Sequence, residues 1–372
     1  MRYVKPIRKL IESGSRSLLM EVLKPHAPKR SQVDFSTTFP VVFMHGFMGF
    51  NPIKLFNFPI VDPFHGASSA IESAGFVTYS PDVDATALVN DRLQMWANEI
   101  EKILKTTGAK KIHIIAIGQG AIDARVLACK AMMSCTGPHG ESIQGFGFSN
   151  KIASITSLGG PHLGTPILEN IDTKEVKSAV MDLMDYIAFL NQSKIKNVRQ
   201  CLENISCDFM QKVFNPVMHI PNDIPCYTVA ANPVNEKNTS LLLDETWQYI
   251  REIAEYDGGG DNDGLVPIRS ALFDGNDTLL AGTQQKQWQV LGQLTTDHFG
   301  LAGKRETRQV AVNTNAFYLG LAQNSDLLYR SHTQMSLLTD GNWQRIFHAN
   351  LPEKKLPPET SSKVTKTKKT LA

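Results

Sequence analysis

Lys110–Arg125 has the sequence KKIHIIAIGQGAIDAR and carries the clearest structural signal in the chain. Its apolar run, Ile112–Ile117, predicts a buried strand, because a strand in a parallel sheet is covered on both faces. Gly118 and Gly120 mark a sharp turn, and the residues after them have the character of a helix. The stretch therefore predicts a strand, a tight turn and a helix in direct succession.

Apolar runs and helical patterns alternate along the rest of the chain, which predicts an α/β fold. We expect a mostly parallel central sheet flanked by helices, with a helical cap or lid inserted at about residues 170–215. The predicted strands are Phe39–Met44, the end of Ile71–Tyr79, Ile112–Ile117, Ile152–Leu158, Pro225–Ala231 and Gln287–Leu294. The predicted helices are Arg92–Thr107, Gln119–Met133, two within 172–214, Asp244–Ala254 and Arg308–Gln323, and residues 134–149 are predicted to be a surface insertion.

The two ends of the chain differ in character from this body. Residues 1–34 are predicted to form a basic helical extension, residues 35–325 the α/β domain, residues 326–351 a C-terminal segment and residues 352–372 a disordered, lysine-rich tail. Within the extension, residues 5–24 have a weak amphipathic pattern, which fits either a membrane-surface anchor or a helix packed on the body. Gly14 and Ser15 interrupt that pattern and favour the packed helix.

Composition excludes several classes of function. A net charge of +2 over 372 residues gives no basis for nucleic-acid binding. Five cysteines without a CxxC pair argue against zinc and predict reduced, buried thiols, with one disulfide left open. No apolar run approaches the roughly 20 residues that a membrane span needs, and the basic N-terminus lacks the apolar core of a Sec-type signal peptide. These features predict a cytoplasmic or non-classically exported protein.

Four segments resemble the bacterial triacylglycerol lipases of the α/β-hydrolase superfamily. In chain order they are VVFMHGFMGF (41–50), KKIHIIAIGQGAIDAR (110–125), IASITSLGGPHLGTP (152–166) and DNDGLVPIRSALF (261–273). The resemblance runs from about Phe39 to Ala322, and the segments keep the order of that family. It implies an α/β-hydrolase fold, a lipid or acyl-ester ligand, and active-site residues in the order nucleophile, acid, histidine.

The resemblance also assigns residues to this active site. The acid corresponds to Asp263 and the base to His298, a pair in which the carboxylate orients the imidazole and stabilises its protonated form. The oxyanion donors correspond to the backbone N–H groups of Phe47 and Gln119. His162 is also near a glycine-rich turn, but a structural role is favoured for it because His298 follows later in the chain.

The nucleophile position departs from the family pattern. Where the family has G-x-S-x-G, residues 116–120 are AIGQG, so the serine position is Gly118. Glycine tolerates the strained backbone of this turn, and its presence removes the covalent step. The favoured hypothesis is a pseudo-lipase that binds an acyl ligand, a membrane surface or a protein partner of unknown identity. The alternative is an active triacylglycerol lipase or esterase that uses another nucleophile or a water activated by His298 and Asp263.

The family's calcium site is only weakly represented. Asp244 could supply an upstream acid, but Gly300 stands just after the histidine where a second acid is expected, which leaves Asp297 on the other side. The family's disulfide is absent as well, since Arg269 and Ser270 occupy the region after the acid. We therefore expect no cofactor, with calcium at Asp244 and Asp297 as the weaker alternative.

Overall fold

The computed structural model describes residues 39–46, 53–55, 58–61, 64, 67–168, 198–234, 238–253, 260–273, 288–303 and 314–330. The predicted N-terminal extension, residues 170–197 of the predicted cap, and the predicted C-terminal segment and tail beyond residue 330 lie outside these residues. The strands are β1 (Val41–Met44), β2 (Ile53–Leu55), β3 (Phe58–Val61), β4 (Thr78–Tyr79), β5 (Ile112–Ile117), β6 (Ser134–Thr136), β7 (Ser142–Gln144), β8 (Ile152–Leu158), β9 (Cys226–Ala231) and β10 (Trp288–Leu294). The α-helices are α1 (Ala67–Glu72), α2 (Val89–Thr107), α3 (Gln119–Ala128), α4 (Val198–Glu203), α5 (Cys207–Phe209, continuing as a π-turn over Met210–Phe214), α6 (Asp244–Glu252), α7 (Ile268–Leu272), α8 (His298–Leu301) and α9 (Thr314–Arg330).

A six-stranded parallel sheet organises the described residues. Its strand order is β10-β9-β8-β5-β1-β4. Every residue of β1, β5, β8 and β9 is buried, as the continuous apolar runs predicted. Because β5 lies inside the sheet between β1 and β8, the turn after it stands at the carboxyl edge, where open α/β sheets place their ligands.

Helices cover both faces of the sheet, and alternate strand residues serve the two faces. On one side, Ile114 and Ala116 of β5 join a core cluster that includes Trp96 of α2. On the other side, Ile115 and Ile117 join a cluster with α1 and α9. The predicted α/β-hydrolase architecture, a mostly parallel sheet flanked by helices, is confirmed.

Several helix boundaries differ from the sequence prediction, among them the start of α2, which is Val89. The helix predicted for Gln119–Met133 ends at Ala128, where the segment after β7 supplies hydrogen-bond donors to carbonyl groups at the end of the helix. The N–H of Gly147 donates to the carbonyl of Cys129 at 2.7 Å, and the N–H of Phe146 donates to that of Val126 at 3.2 Å. The last helix, α9, runs on to Arg330, beyond the end predicted for it at Gln323.

All five cysteines are free and buried, which confirms the predicted reduced thiols. Burial raises the pKa of the Cys129 thiol to about 12 and that of the Cys135 thiol to about 11, so both stay protonated at neutral pH. Within the described ranges, no helix is both long and apolar enough to cross a bilayer.

Candidate functional site

The turn between β5 and α3 has a backbone geometry that favours glycine. Gly118 has φ 56° and ψ −129°, in a region that residues with a side chain enter only with strain. The neighbouring glycines permit close approach of two backbones. A Cβ on Gly46 would lie 2.6 Å from the amide nitrogen of Gln119, and one on Gly120 would lie 2.6 Å from the carbonyl oxygen of Met44. These contacts press the loop after β1 against the start of α3.

Asp263 and His298 form a buried hydrogen-bonded pair. Nδ1 of His298 lies 2.7 Å from Oδ2 of Asp263, and Nδ1 is the donor because an ionised carboxylate only accepts. The other carboxylate oxygen accepts from the backbone N–H groups of Leu265 at 3.0 Å and Val266 at 2.7 Å. The backbone N–H of His298 donates to the Asp263 carbonyl at 2.8 Å. The carboxylate and the ring are thus fixed relative to each other.

Gly118 lies directly opposite this pair. A Cβ on Gly118 would stand 3.0 Å from Nε2 of His298 and 3.3 Å from its Cε1. The three positions that the sequence assigned to the nucleophile, the acid and the base therefore come together in space. Gln119 follows at the start of α3, whereas Phe47, the other predicted oxyanion donor, lies outside the described residues.

Curated relatives of the chain carry the name triacylglycerol lipase. The chain is 28% identical over 133 residues to one from Vibrio cholerae, which covers 36% of each protein. It is 25% identical over 136 residues to one from Pseudomonas fragi, which covers 37% of this chain and 39% of the relative. The matches thus span little more than a third of each relative's length. No protein-family model matches the chain.

Solved lipase structures share the fold. Lipase 1 from Pelosinus fermentans superposes with a TM-score of 0.53 at 17% identity, over 78% of this chain and 98% of that one. Staphylococcus hyicus lipase superposes with a TM-score of 0.57 at 16% identity, over 84% of this chain and all (100%) of that one. Structural likeness at this identity establishes the α/β-hydrolase fold, and the curated relatives support a lipase family. The chain therefore shares the scaffold of these solved lipases.

One further residue, Gly159, shapes the site, and the sequence alone did not identify it. Gly159, at the end of β8, has φ 58°, and a Cβ there would lie 2.9 Å from Oδ2 of Asp263 and 3.1 Å from Nδ1 of His298. Only glycine leaves room for the acid–histidine pair at this point. The sequence feature that could have identified Gly159 is the Gly159-Gly160 pair directly after the predicted strand.

The side chain of Gln119 connects the turn after β5 to α4, a helix within the range predicted for the cap. Its Nε2 donates to the carbonyl of Cys201 in α4 at 3.0 Å. The thiol of Cys201 in turn donates to the carbonyl of Ala87 at 3.4 Å. Gln119 was predicted as a backbone oxyanion donor, and its side chain adds a structural tie. Sequence alone could not reveal this tie, because the two residues lie 82 positions apart.

A buried serine–histidine pair lies near the site. Nε2 of His162 is 2.8 Å from Oγ of Ser157, and both residues are completely buried. The ring packs against Phe273 and Trp288, with centroid distances of 5.1 and 4.5 Å. Burial holds the pKa of His162 well below its ordinary value. A neutral histidine in an aromatic pocket agrees with the structural role predicted for it.

The neutral state of His162 predicts acid sensitivity of the fold. Below pH 6.5 this histidine is protonated in the unfolded chain but stays neutral in the folded chain. Its contribution to the free energy of unfolding is therefore fully present above that pH and is lost as the pH decreases. We expect a loss of up to about 1.4 kcal/mol per pH unit from this group. Urea unfolding of the native protein and of His162→Gln at pH 7 and pH 5.5 measures it. The variant should show the shallower dependence.

His219→Gln, which removes a half-buried histidine outside this aromatic pocket, is the control for this measurement. Buried His45, whose pKa burial also lowers, adds a parallel contribution in every variant and therefore cancels from the comparison. Equal slopes for the native protein and His162→Gln would contradict the prediction, whatever the variant's stability at pH 7.

Both carboxylate oxygens of Asp297 accept hydrogen bonds from backbone N–H groups. One carboxylate oxygen accepts from the N–H of Ser240 at 2.7 Å, and the other caps α8 by accepting from the N–H of Gly300 at 2.9 Å. Across the described ranges, no group of three or more His, Cys, Asp or Glu residues is placed to hold a metal ion. Calcium at Asp244 and Asp297 stays a prediction from the family resemblance.

Proposed function

We propose that the protein is a pseudo-lipase, which binds an acyl ester or a related acyl ligand without serine hydrolysis. One observation carries the proposal: Gly118 occupies the nucleophile position opposite Nε2 of His298, where a Cβ would stand 3.0 Å away. The triacylglycerol lipases among the relatives suggest the acyl ligand. The proposed function needs no cofactor.

Covalent catalysis requires a nucleophilic side chain that can reach the substrate, and in hydrolases with an acid–histidine pair it stands within reach of the base. Gly118 supplies none. Ser157 is hydrogen-bonded to a different histidine and is completely buried, so it cannot meet a substrate. The cysteines are buried, and burial raises the pKa of the Cys226 thiol, among others, which keeps the thiol out of its nucleophilic form. These facts favour binding over turnover.

The intact Asp263–His298 hydrogen bond supports a second candidate function. The pair could orient and deprotonate a water molecule for direct attack on an ester. Proteases that lose a triad member still hydrolyse their substrates about 10³–10⁴-fold faster than the uncatalysed reaction in water, which is far below normal turnover. A weak esterase that uses activated water is therefore the alternative to a pure binding protein.

We propose a lipid or an acyl ester as the ligand of the protein. Contact with a membrane surface through residues 5–24, the absence of nucleic-acid binding and a cytoplasmic or non-classically exported location remain predictions from the sequence.

A fluorophosphonate probe tests the proposed function, because it reacts covalently with an activated serine. We expect no labelling of the native protein and labelling of Gly118→Ser at residue 118, located by mass spectrometry of the peptides. The double variant Gly118→Ser/His298→Ala should lose the label, since the serine then lacks its base. Labelling of the native protein at any single serine, abolished by His298→Ala, would refute the pseudo-lipase proposal.

A further inference from the structure

A groove of about 420 Å³ lies along the first turns of α2. Exposed apolar side chains and acidic side chains line it together, among them Leu88, Met95, Asp84 and Asp91. None of the described residues that line it is basic. We propose that this groove is the docking site of residues 5–24 of the same chain, the basic segment with an amphipathic pattern.

The apolar part of the groove is a stripe on α2. Leu88 is 41% exposed and Met95 is 38% exposed, although both side chains are large and apolar. They are two helical turns apart, which is about 10 Å along the helix axis. Single exposed apolar residues are common on protein surfaces, but two that share one groove form a surface on which another apolar face can pack.

Leu88 departs from a local preference at this place. It is the N-cap residue of α2, with φ −57° and ψ 151°, and its side chain makes no capping hydrogen bond. Serine, threonine, asparagine or aspartate is favoured there, because the side-chain oxygen accepts from an N–H of the first turn. Leucine gives up that hydrogen bond and remains exposed to water. A residue that breaks a local rule without a gain inside the described fold points to a contact beyond it.

Residues 5–24 have the charge and the apolar pattern that match this groove. Five basic residues stand against two acidic ones, Glu12 and Glu21, which gives the segment a net charge of +3. The basic residues are Lys5, Arg8, Lys9, Arg16 and Lys24. The apolar residues that fall near one helical face are Ile7, Leu10, Ile11, Leu18, Leu19, Val22 and Leu23. The apolar face can therefore cover Leu88 and Met95 while the basic residues meet Asp84 and Asp91, and such charge complementarity fixes the orientation of a docked segment.

Other occupants match the groove less well. An anionic bilayer surface would repel its acidic side chains, and so would the same groove of a second copy. The tail at residues 352–372 has many lysines but no apolar pattern. Residues 25–38 can span roughly 45 Å when extended, and such a tether raises the effective concentration of residues 5–24 at the groove. The inference develops the packed helix that the sequence favours for this segment.

Photo-crosslinking in the full chain tests this docking. The photoreactive residue p-benzoylphenylalanine, placed at the exposed groove position Asn98, reacts with the chain that lies beside it. We expect mass spectrometry of the proteolytic peptides from the monomer band of a denaturing gel to locate the cross-link within residues 5–24. Salt at about 0.5 M should lower the yield, because it screens the charges.

Two variants of the groove should lower the yield of this cross-link at least about threefold. In Leu88→Ser part of the apolar stripe is lost. This variant should unfold at the same or a higher temperature than the native protein, since serine is a favoured N-cap residue, so the loss of cross-link is not a loss of fold. In Asp91→Lys an attraction becomes a repulsion, and Arg8→Glu/Lys9→Glu in the same chain should restore part of the yield. Asp208→Lys makes the same charge change at an exposed acid outside the groove and should leave the yield unchanged.

An unchanged yield in folded Leu88→Ser would overturn the inference. A cross-link to residues 170–197, to residues 331–372 or to a second copy would identify a different occupant and would also overturn it. The absence of any cross-link within residues 5–24 has the same consequence, because the segment would then not lie in the groove.

Discussion

Gly118→Ser should convert the native protein, which we expect to be inert, into an esterase. The substitution places Oγ beside Nε2 of His298, which Asp263 already orients at 2.7 Å, and so restores the nucleophile, base and acid. We expect kcat/KM for p-nitrophenyl octanoate to rise about 10²-fold or more over the native protein. Initial rates with the butyrate and octanoate esters measure this gain.

Two structural costs should keep the variant below a natural lipase. A serine at φ 56° is strained by about 1–3 kcal/mol, which a lower midpoint of thermal unfolding should reveal. The added Cβ also lies 3.0 Å from Nε2 of His298, so the ring must move by a few tenths of an ångström. Such displacements matter, because misplacement by about 1 Å can cost a reaction about 10²-fold.

Gly118→Ala separates the effect of the hydroxyl from that of the added carbon, and it should stay inactive. A folded Gly118→Ser variant without activity would show that the rest of the machinery is incomplete. Turnover by the native protein that His298→Ala abolishes would instead identify water activated by the Asp263–His298 pair as the working mechanism. The three outcomes lead to three different conclusions about the site.

The sequence predicted those features of the fold that local patterns determine. Ile112–Ile117 and Ile152–Leu158 were located to the residue, because short segments rich in β-branched residues that end at a glycine have few alternatives in an α/β chain. The proximity of Asp263, His298 and Gly118 came from the resemblance, and the structure brings all three together. Local pattern and family order were together sufficient for the outline of the site.

Features that depend on distant partners were not predictable in this way. The α3 helix ends at Ala128, where the N–H groups of Phe146 and Gly147 donate to carbonyl groups at its end, although the helical pattern continues beyond that point. The pairing of Ser157 with His162 depends on the loop after β8, which folds the histidine back over the strand end. In both cases the deciding contact lies outside the sequence window in which a pattern can be recognised.

The largest loss of stability that we expect from a single polar substitution is that of Asp123→Asn. Arg92 of α2 and Asp123 of α3 form two hydrogen bonds, Nε to Oδ2 at 2.7 Å and Nη2 to Oδ1 at 2.9 Å, and both side chains are buried. Burial alone would lower the pKa of Arg92, but the Asp123 carboxylate raises it, so the pair is charged inside the protein. Removal of one partner leaves the other charge uncompensated, at a cost of about 3–5 kcal/mol.

Urea unfolding of Asp123→Asn at pH 7 measures this cost, and the exposed pair of Lys212 and Asp208 supplies the control. Asp208→Asn should change the free energy of unfolding by less than about 1 kcal/mol, because water already solvates both of those charges. Replacement of both buried partners, as in Arg92→Met/Asp123→Leu, should recover much of the loss, since no charge is then stranded. A loss below about 1 kcal/mol in Asp123→Asn would contradict the prediction.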